Sequence, residues 1–150
     1  MNATEALRLR LRPEGVWCHA AVGLSTTVLR TDETFGFVVL RPRASFDEFE
    51  EDGRDVMTRA RTEEALRTPV PGVDDLVYHS SLPWVRFTAF TNAVGRGDDC
   101  IPRLVFGRAV QDGARRRMPV AVEVHHALVD GLDVARFLER FEQALTQPAW

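Results

Sequence analysis

Along this chain the hydrophobic period settles at 3.6 residues in only two stretches, while short alternating or β-branched stretches recur around them. Many strands and two helices that do not alternate regularly point to an α+β or mixed-sheet α/β layer fold. The chain has 150 residues, enough for one core, so a single domain over 1–150 is expected. Leu7 to Arg12 alternates apolar and Arg, the period of a strand, and Pro13-Glu14-Gly15 is a turn signal before a return strand from Val16 to Ala20. Ser25 to Leu29 and Phe35 to Leu40 read as strands, the second closed by Pro42.

Ser45 begins the first helical period. Its hydroxyl suits an N-cap, and Asp47 and Glu48 fall in the first turn, where the helix dipole favours acids. Phe46, Phe49, Val56, Ala60 and Leu66 mark its apolar side, and Gly53 weakens its middle. Thr68 to Asp75, with Pro69, Pro71 and Gly72, reads as a loop. Leu76 to Ser80 and Trp84 to Phe90 read as strands, with Trp84, Phe87 and Phe90 expected in the core. Asn92 to Cys100 is a polar loop, and Arg103–Val110 with Met118–Val124 form a hairpin around Gln111-Asp112-Gly113. Val134, Phe137, Leu138, Phe141 and Leu145 give the last helix its apolar stripe, which Pro148 ends.

Composition narrows the chemistry. All 19 basic residues are Arg, so no lysine serves as base or Schiff-base nucleophile. A formal charge of −3 gives no global signature of nucleic-acid binding. Cys18 and Cys100 make neither a disulfide framework nor a CxxC motif, and both are expected as thiols. Met1 to Arg12 lacks the apolar region of a signal peptide, and no apolar run reaches membrane-spanning length, so a cytoplasmic protein with no membrane partner is expected. The Arg115-Arg116-Arg117 run reads as a solvated hairpin face.

The stretch Val124-His125-His126-Ala127-Leu128-Val129-Asp130-Gly131 carries the chemistry. It joins a strand to a helix start, a place where side chains are held rigidly, and His126 and Asp130 fit within one tight turn. Gly131 allows a backbone conformation that other residues resist. On spacing alone three readings stand: a general base with an orienting carboxylate, a metal site of His125, His126 and Asp130, or a pair of buried histidines bonded within the turn. Adjacent strand residues point to opposite faces, which argues against one metal held by both histidines.

His125-His126-x-x-x-Asp130-Gly131 resembles the HHxxxDG signature of the CoA-dependent acyltransferases, and Met118 to Phe137 resembles the chloramphenicol acetyltransferase family in particular. Ser80-Ser81-Leu82-Pro83-Trp84-Val85-Arg86-Phe87-Thr88-Ala89-Phe90 resembles that family's S-x-x-P-W-V-x-F-x-x-F segment, in the right order and with Pro102 between the patches. The resemblance implies a two-layer α/β sandwich with a mixed sheet. It implies an acetyl-CoA-dependent O-acetyltransferase acting on chloramphenicol or a similar hydroxylated small molecule, by direct transfer and without a metal. His126 would be the general base, Ser80 the oxyanion donor, and Asp130 a structural residue paired with an arginine; no residues for acetyl-CoA are assigned. It further implies a bacterial homotrimer with the site between subunits.

Two departures from the family pattern are expected to matter. The family's segment before the part that Leu7 resembles, with the arginine that pairs with the signature aspartate, has no counterpart in this sequence. Val105 stands where the family has a threonine that helps position water, and it lacks the hydroxyl. They favour a second reading, a catalytically impaired or vestigial binding module on the same scaffold, which His126, Asp130 and Ser80 oppose. A third reading, a dihydrolipoyl acyltransferase or condensation domain, is opposed by the Pro-Trp patch.

Overall fold

The computed structural model of the chain describes residues 3–62, 72–93 and 99–147. A single helical turn, α1 (Ala3–Ala6), precedes a hairpin of β1 (Leu9–Arg12) and β2 (Gly15–Cys18). Then come β3 (Gly23–Leu29), β4 (Phe35–Leu40), α2 (Phe46–Ala60), β5 (Leu76–Ser81) and β6 (Arg103–Phe106). The chain ends with β7 (Val110–Asp112), β8 (Arg115–Arg117), β9 (Val120–Glu123) and α3 (Gly131–Thr146).

The main sheet has the order β4-β3-β5-β6-β9. Its outer pairs, β3–β4 and β6–β9, are antiparallel, and its inner pairs, β3–β5 and β5–β6, are parallel. It is thus the expected mixed sheet. Val28 and Val38 pack with Ala60, Val56 and Met57 of α2, while Leu24, Val77, Leu104 and Val122 pack with Phe137 of α3. Leu24 and Val28 are four apart on β3 and share a face, so both helices cover the same side of the sheet. The result is two layers.

Local chemistry explains most elements. Ser45 caps α2, its side-chain oxygen accepting from the Glu48 amide at 3.2 Å. Gly53 lies against Leu40 and lets α2 approach β4 closely. Gly15 and Gly113 sit in turns at positive φ, 129° and 59°, where a side chain would be strained. β1 keeps the expected period but inverts its phase: Arg10 is fully buried and Leu11 is exposed.

Several expectations fail. Trp84 to Phe90 is not a strand. Pro83 has no amide to give a ladder, the Val85 amide closes a turn on the Leu82 carbonyl at 3.0 Å, and Trp84 is 61% exposed rather than in the core. Phe87 and Phe90 are half-buried, with ring centroids 5.5 Å apart. The Arg103–Val124 hairpin does form, its arms paired antiparallel as β6–β9 and β7–β8; between the two ladders the Gly107 amide still donates to the Pro119 carbonyl at 2.9 Å, while Pro119 has no amide to return. Leu145 is exposed, lying past the part of α3 that faces the sheet. Leu66, Pro148, the first half of the Thr68–Asp75 loop and most of the Asn92–Cys100 loop lie outside the described residues.

At Gly107 a Cβ would stand 2.7 Å from Pro119 Cγ, 2.8 Å from Phe87 Cε1 and 2.9 Å from the Val85 carbonyl oxygen. Gly107→Ala therefore loses about 1–3 kcal/mol by overpacking, read as a lower thermal midpoint. An unchanged midpoint would show that the segment around Phe87 gives way freely.

Candidate active site

The histidine pair lies just beyond β9, in a turn rather than on the strand, so strand alternation does not separate the two rings. The His125 carbonyl accepts from the amides of Leu128 at 2.9 Å and Val129 at 3.1 Å. Leu128 and Val129 are buried in a cluster with Ala6 and Cys100, with Leu9 and Val124 packed against it. Apolar packing thus fixes the turn from below and leaves His126 exposed above.

Asp130 closes this turn as the N-cap of α3. Its Oδ1 accepts from the amides of Leu132 at 2.9 Å and Asp133 at 3.0 Å. Among the described residues no arginine pairs with it, and its carboxylate is engaged in the cap. Gly131 is the first residue of α3, has no positive φ and has open space where a Cβ would go. The special conformation expected of it is not used.

His126 Nδ1 faces the Val129 carbonyl at a long 3.5 Å. A carbonyl only accepts, so this contact favours the proton on Nδ1 and leaves the lone pair on Nε2. His125 differs, its Nδ1 accepting from the Ala127 amide at 3.3 Å. Both rings line a cavity of about 320 Å³ with Asp99, Arg103 and Glu123. Arg103 donates to the Asp99 carboxylate and stacks over the Tyr78 ring at 5.5 Å. Burial is the main cause raising the Tyr78 pKa above its ordinary value.

Ser80 sits near the end of β5, level with Val105 of β6 and, through it, with Ala121 of β9. By alternation Tyr78, Ser80, Arg103, Val105, Ala121 and Glu123 share the sheet face that the helices do not cover. The histidines lie past the opposite end of this face, beyond the Tyr78–Arg103–Glu123 row. Within one chain, His126 and Asp130 come together and Ser80 stays apart from them. Val105, 1% exposed, is tightly held in the sheet beside Ser80. His79, next to Ser80, faces the helix layer, where it meets Thr26 Oγ1 at 2.8 Å and burial lowers its pKa.

Sequence reasoning did not single out Glu123, whose carboxylate accepts from the Asn92 amide at 2.8 Å and from Asn92 Nδ2 at 2.6 Å. The only signal was a charged residue at one of the outward positions of β9. The Arg115–Arg117 face is exposed as expected, with Arg117 paired to Asp112 at 2.5 Å. Among the described residues, no group of three or more His, Cys, Asp or Glu could hold a metal ion. No helix among them is long and apolar enough to cross a membrane.

A family model described as chloramphenicol acetyltransferase matches residues 1–142. Chloramphenicol acetyltransferase 3 of Escherichia coli is 28% identical over 145 residues, which is 95% of this chain and 68% of the relative. A chloramphenicol acetyltransferase of Streptomyces acrimycini is 39% identical over 83 residues, 55% of this chain and 36% of that protein. The match thus spans about two thirds of the first relative and about a third of the second. Among solved structures, a chloramphenicol acetyltransferase superposes with a TM-score of 0.78 at 22% identity, covering 95% of this chain and 70% of that one. A truncated catalytic core of the 2-oxoacid dehydrogenase multienzyme complex from Thermoplasma acidophilum gives 0.73 at 16% identity, covering 98% and 68%. Below 25% identity these two likenesses speak for the fold alone.

Proposed function

The chain belongs to the chloramphenicol acetyltransferase family, and from that premise we propose that it transfers acetyl from acetyl-CoA to a hydroxyl of chloramphenicol or a similar small molecule. His126 is the general base. The observation that supports this reading is the long Nδ1 contact to the Val129 carbonyl, which favours the tautomer with Nε2 as proton acceptor in a ring that lines a cavity.

Nε2 of His126 takes the hydroxyl proton as the acceptor oxygen bonds to the thioester carbonyl. Ser80 donates a hydrogen bond to the negative charge that develops on the carbonyl oxygen. His126 then returns its proton to the departing sulfur, so transfer is direct and no acyl-enzyme forms. Acetyl-CoA is a co-substrate in this scheme, and no metal takes part. Asp130 acts through structure, holding the turn by its cap on α3.

Because Ser80 and His126 stand apart within one chain, the complete site forms between copies, as in a homotrimer where each interface joins the His126 turn of one to the Ser80 face of the next. A product assay tests the function: incubation with acetyl-CoA and chloramphenicol, read by mass spectrometry. Acetylated product supports the reading, and none from folded chain overturns it. Ser80→Ala lowers kcat/KM by about 10²–10³. Mixing refolded Ser80→Ala and His126→Ala chains restores activity in proportion to interfaces carrying both wild-type residues. No recovery would place the site within one copy. Val105 supports a second reading, a non-catalytic binding module, since its buried side chain offers no hydroxyl beside Ser80.

A further inference from the structure

We propose that the cavity beside His126 selects acceptors that carry a cation, such as a protonated amino alcohol, and that Glu123 is the group that recognises it. The inference rests on the reading of this cavity as the acceptor side of the acetyl-transfer site. Glu123 leaves β9 on the open face of the sheet, two residues before the histidines, and lines the same cavity of about 320 Å³. Asn92 holds both carboxylate oxygens, from its backbone amide at 2.8 Å and from its side-chain amide at 2.6 Å. That grip fixes the direction of the carboxylate and leaves each oxygen able to accept again.

Neither Asn92 donor carries charge, so the grip does not neutralise Glu123. The nearest lining cation is already engaged: Arg103 donates to Asp99 and to the Ile101 carbonyl and stacks on Tyr78. Among the described residues no arginine or histidine forms an ion pair with Glu123. Arg103 stands across the β6–β9 pair from Glu123 but turns its guanidinium to Asp99, and with Asp99, Glu123 and Arg103 together the described lining carries a formal net charge of −1. A neutral acceptor entering the cavity strips water from that carboxylate and returns only neutral hydrogen bonds, which leaves the charge uncompensated and costs binding. An ammonium on the acceptor restores the lost interaction and, through the rigid carboxylate, orients the neighbouring hydroxyl. The reacting hydroxyl then lies within reach of the His126 turn, since Glu123 and the histidines are consecutive around one cavity.

The test uses the intact chain and two probes with the same aryl propanediol skeleton: chloramphenicol, which is neutral, and the primary amine left when its dichloroacetyl group is removed. Calorimetry gives the Kd of each for the wild type and for Glu123→Gln, which keeps the size and one acceptor oxygen. We expect the ratio of amine to neutral affinity to fall about tenfold in Glu123→Gln, the order of one half-buried ion pair. In the wild type, amine binding weakens as salt rises while chloramphenicol binding stays level, a readout that needs no variant to fold. An unchanged ratio, or amine binding indifferent to salt or absent, overturns the inference. His126→Ala keeps the charge preference in binding while losing transfer. Transfer that survives His126→Ala would overturn the base assignment and leave the recognition by Glu123 standing.

Discussion

Arg10→Met lowers the free energy of unfolding by roughly 2–4 kcal/mol, the balance of several lost hydrogen bonds against relief of a buried charge. Arg10 is 0% exposed. Its guanidinium donates to the carbonyls of Leu7 at 3.0 Å, Leu9 at 2.6 Å, Asp74 at 2.5 Å, and Leu76. Desolvation lowers its pKa, and the neighbouring Cys100, Asp74, Asp75 and Asp99 oppose that shift. The four carbonyls belong to the β1 hairpin and the entry to β5, so one side chain ties the two together. Methionine conserves most of the volume, which keeps the loss from being a cavity effect. Equilibrium denaturation in guanidinium chloride measures it. A loss below about 0.5 kcal/mol, the scale of an ordinary surface change, would show that water takes over the four carbonyls. The prediction reaches the site as well, because Ala6 and Leu9 of the tied segment pack under Leu128 and Val129.

His126→Ala removes about 10²–10⁴ of turnover, the range for a positioned general base, with little change in stability. Its ring is exposed, and its turn is held by the His125 carbonyl, the Asp130 cap and the buried Leu128 and Val129; the substitution removes only the long Nδ1 contact to the Val129 carbonyl. Parallel denaturation curves for wild type and variant check that half of the claim. A rate loss accompanied by a large fall in stability would point to a structural histidine instead.

Elements defined by nearby residues were legible in the sequence. Phe35–Leu40 is a strand over the whole expected span, Ser45 caps its helix as its hydroxyl suggested, and the Val134–Phe137–Phe141 stripe faces the sheet or lies alongside it. Elements defined by distant partners were not. The Leu–Arg alternation at 7–12 gives a strand, but nothing local says that Arg10 turns inward to carbonyls more than sixty residues away. Trp84 to Phe90 has strand-forming residues, yet its amide and carbonyl partners at Leu82 and Arg108 bend it out of the sheet. At the site, the histidines and Asp130 are close in sequence and their turn was foreseen. Asp130 was expected to pair with an arginine and not to cap α3, although an Asp just before an apolar period carries the cap signal; the grip of Asn92 on Glu123 spans 31 positions and has no sequence signature.

The most direct test of the account is thiol release from acetyl-CoA, with and without chloramphenicol, by the folded wild type and by His126→Ala. The account predicts release that depends on the acceptor and falls to background in the variant. Acceptor-dependent release at an undiminished rate in His126→Ala, or none at all from the folded wild type, would contradict it.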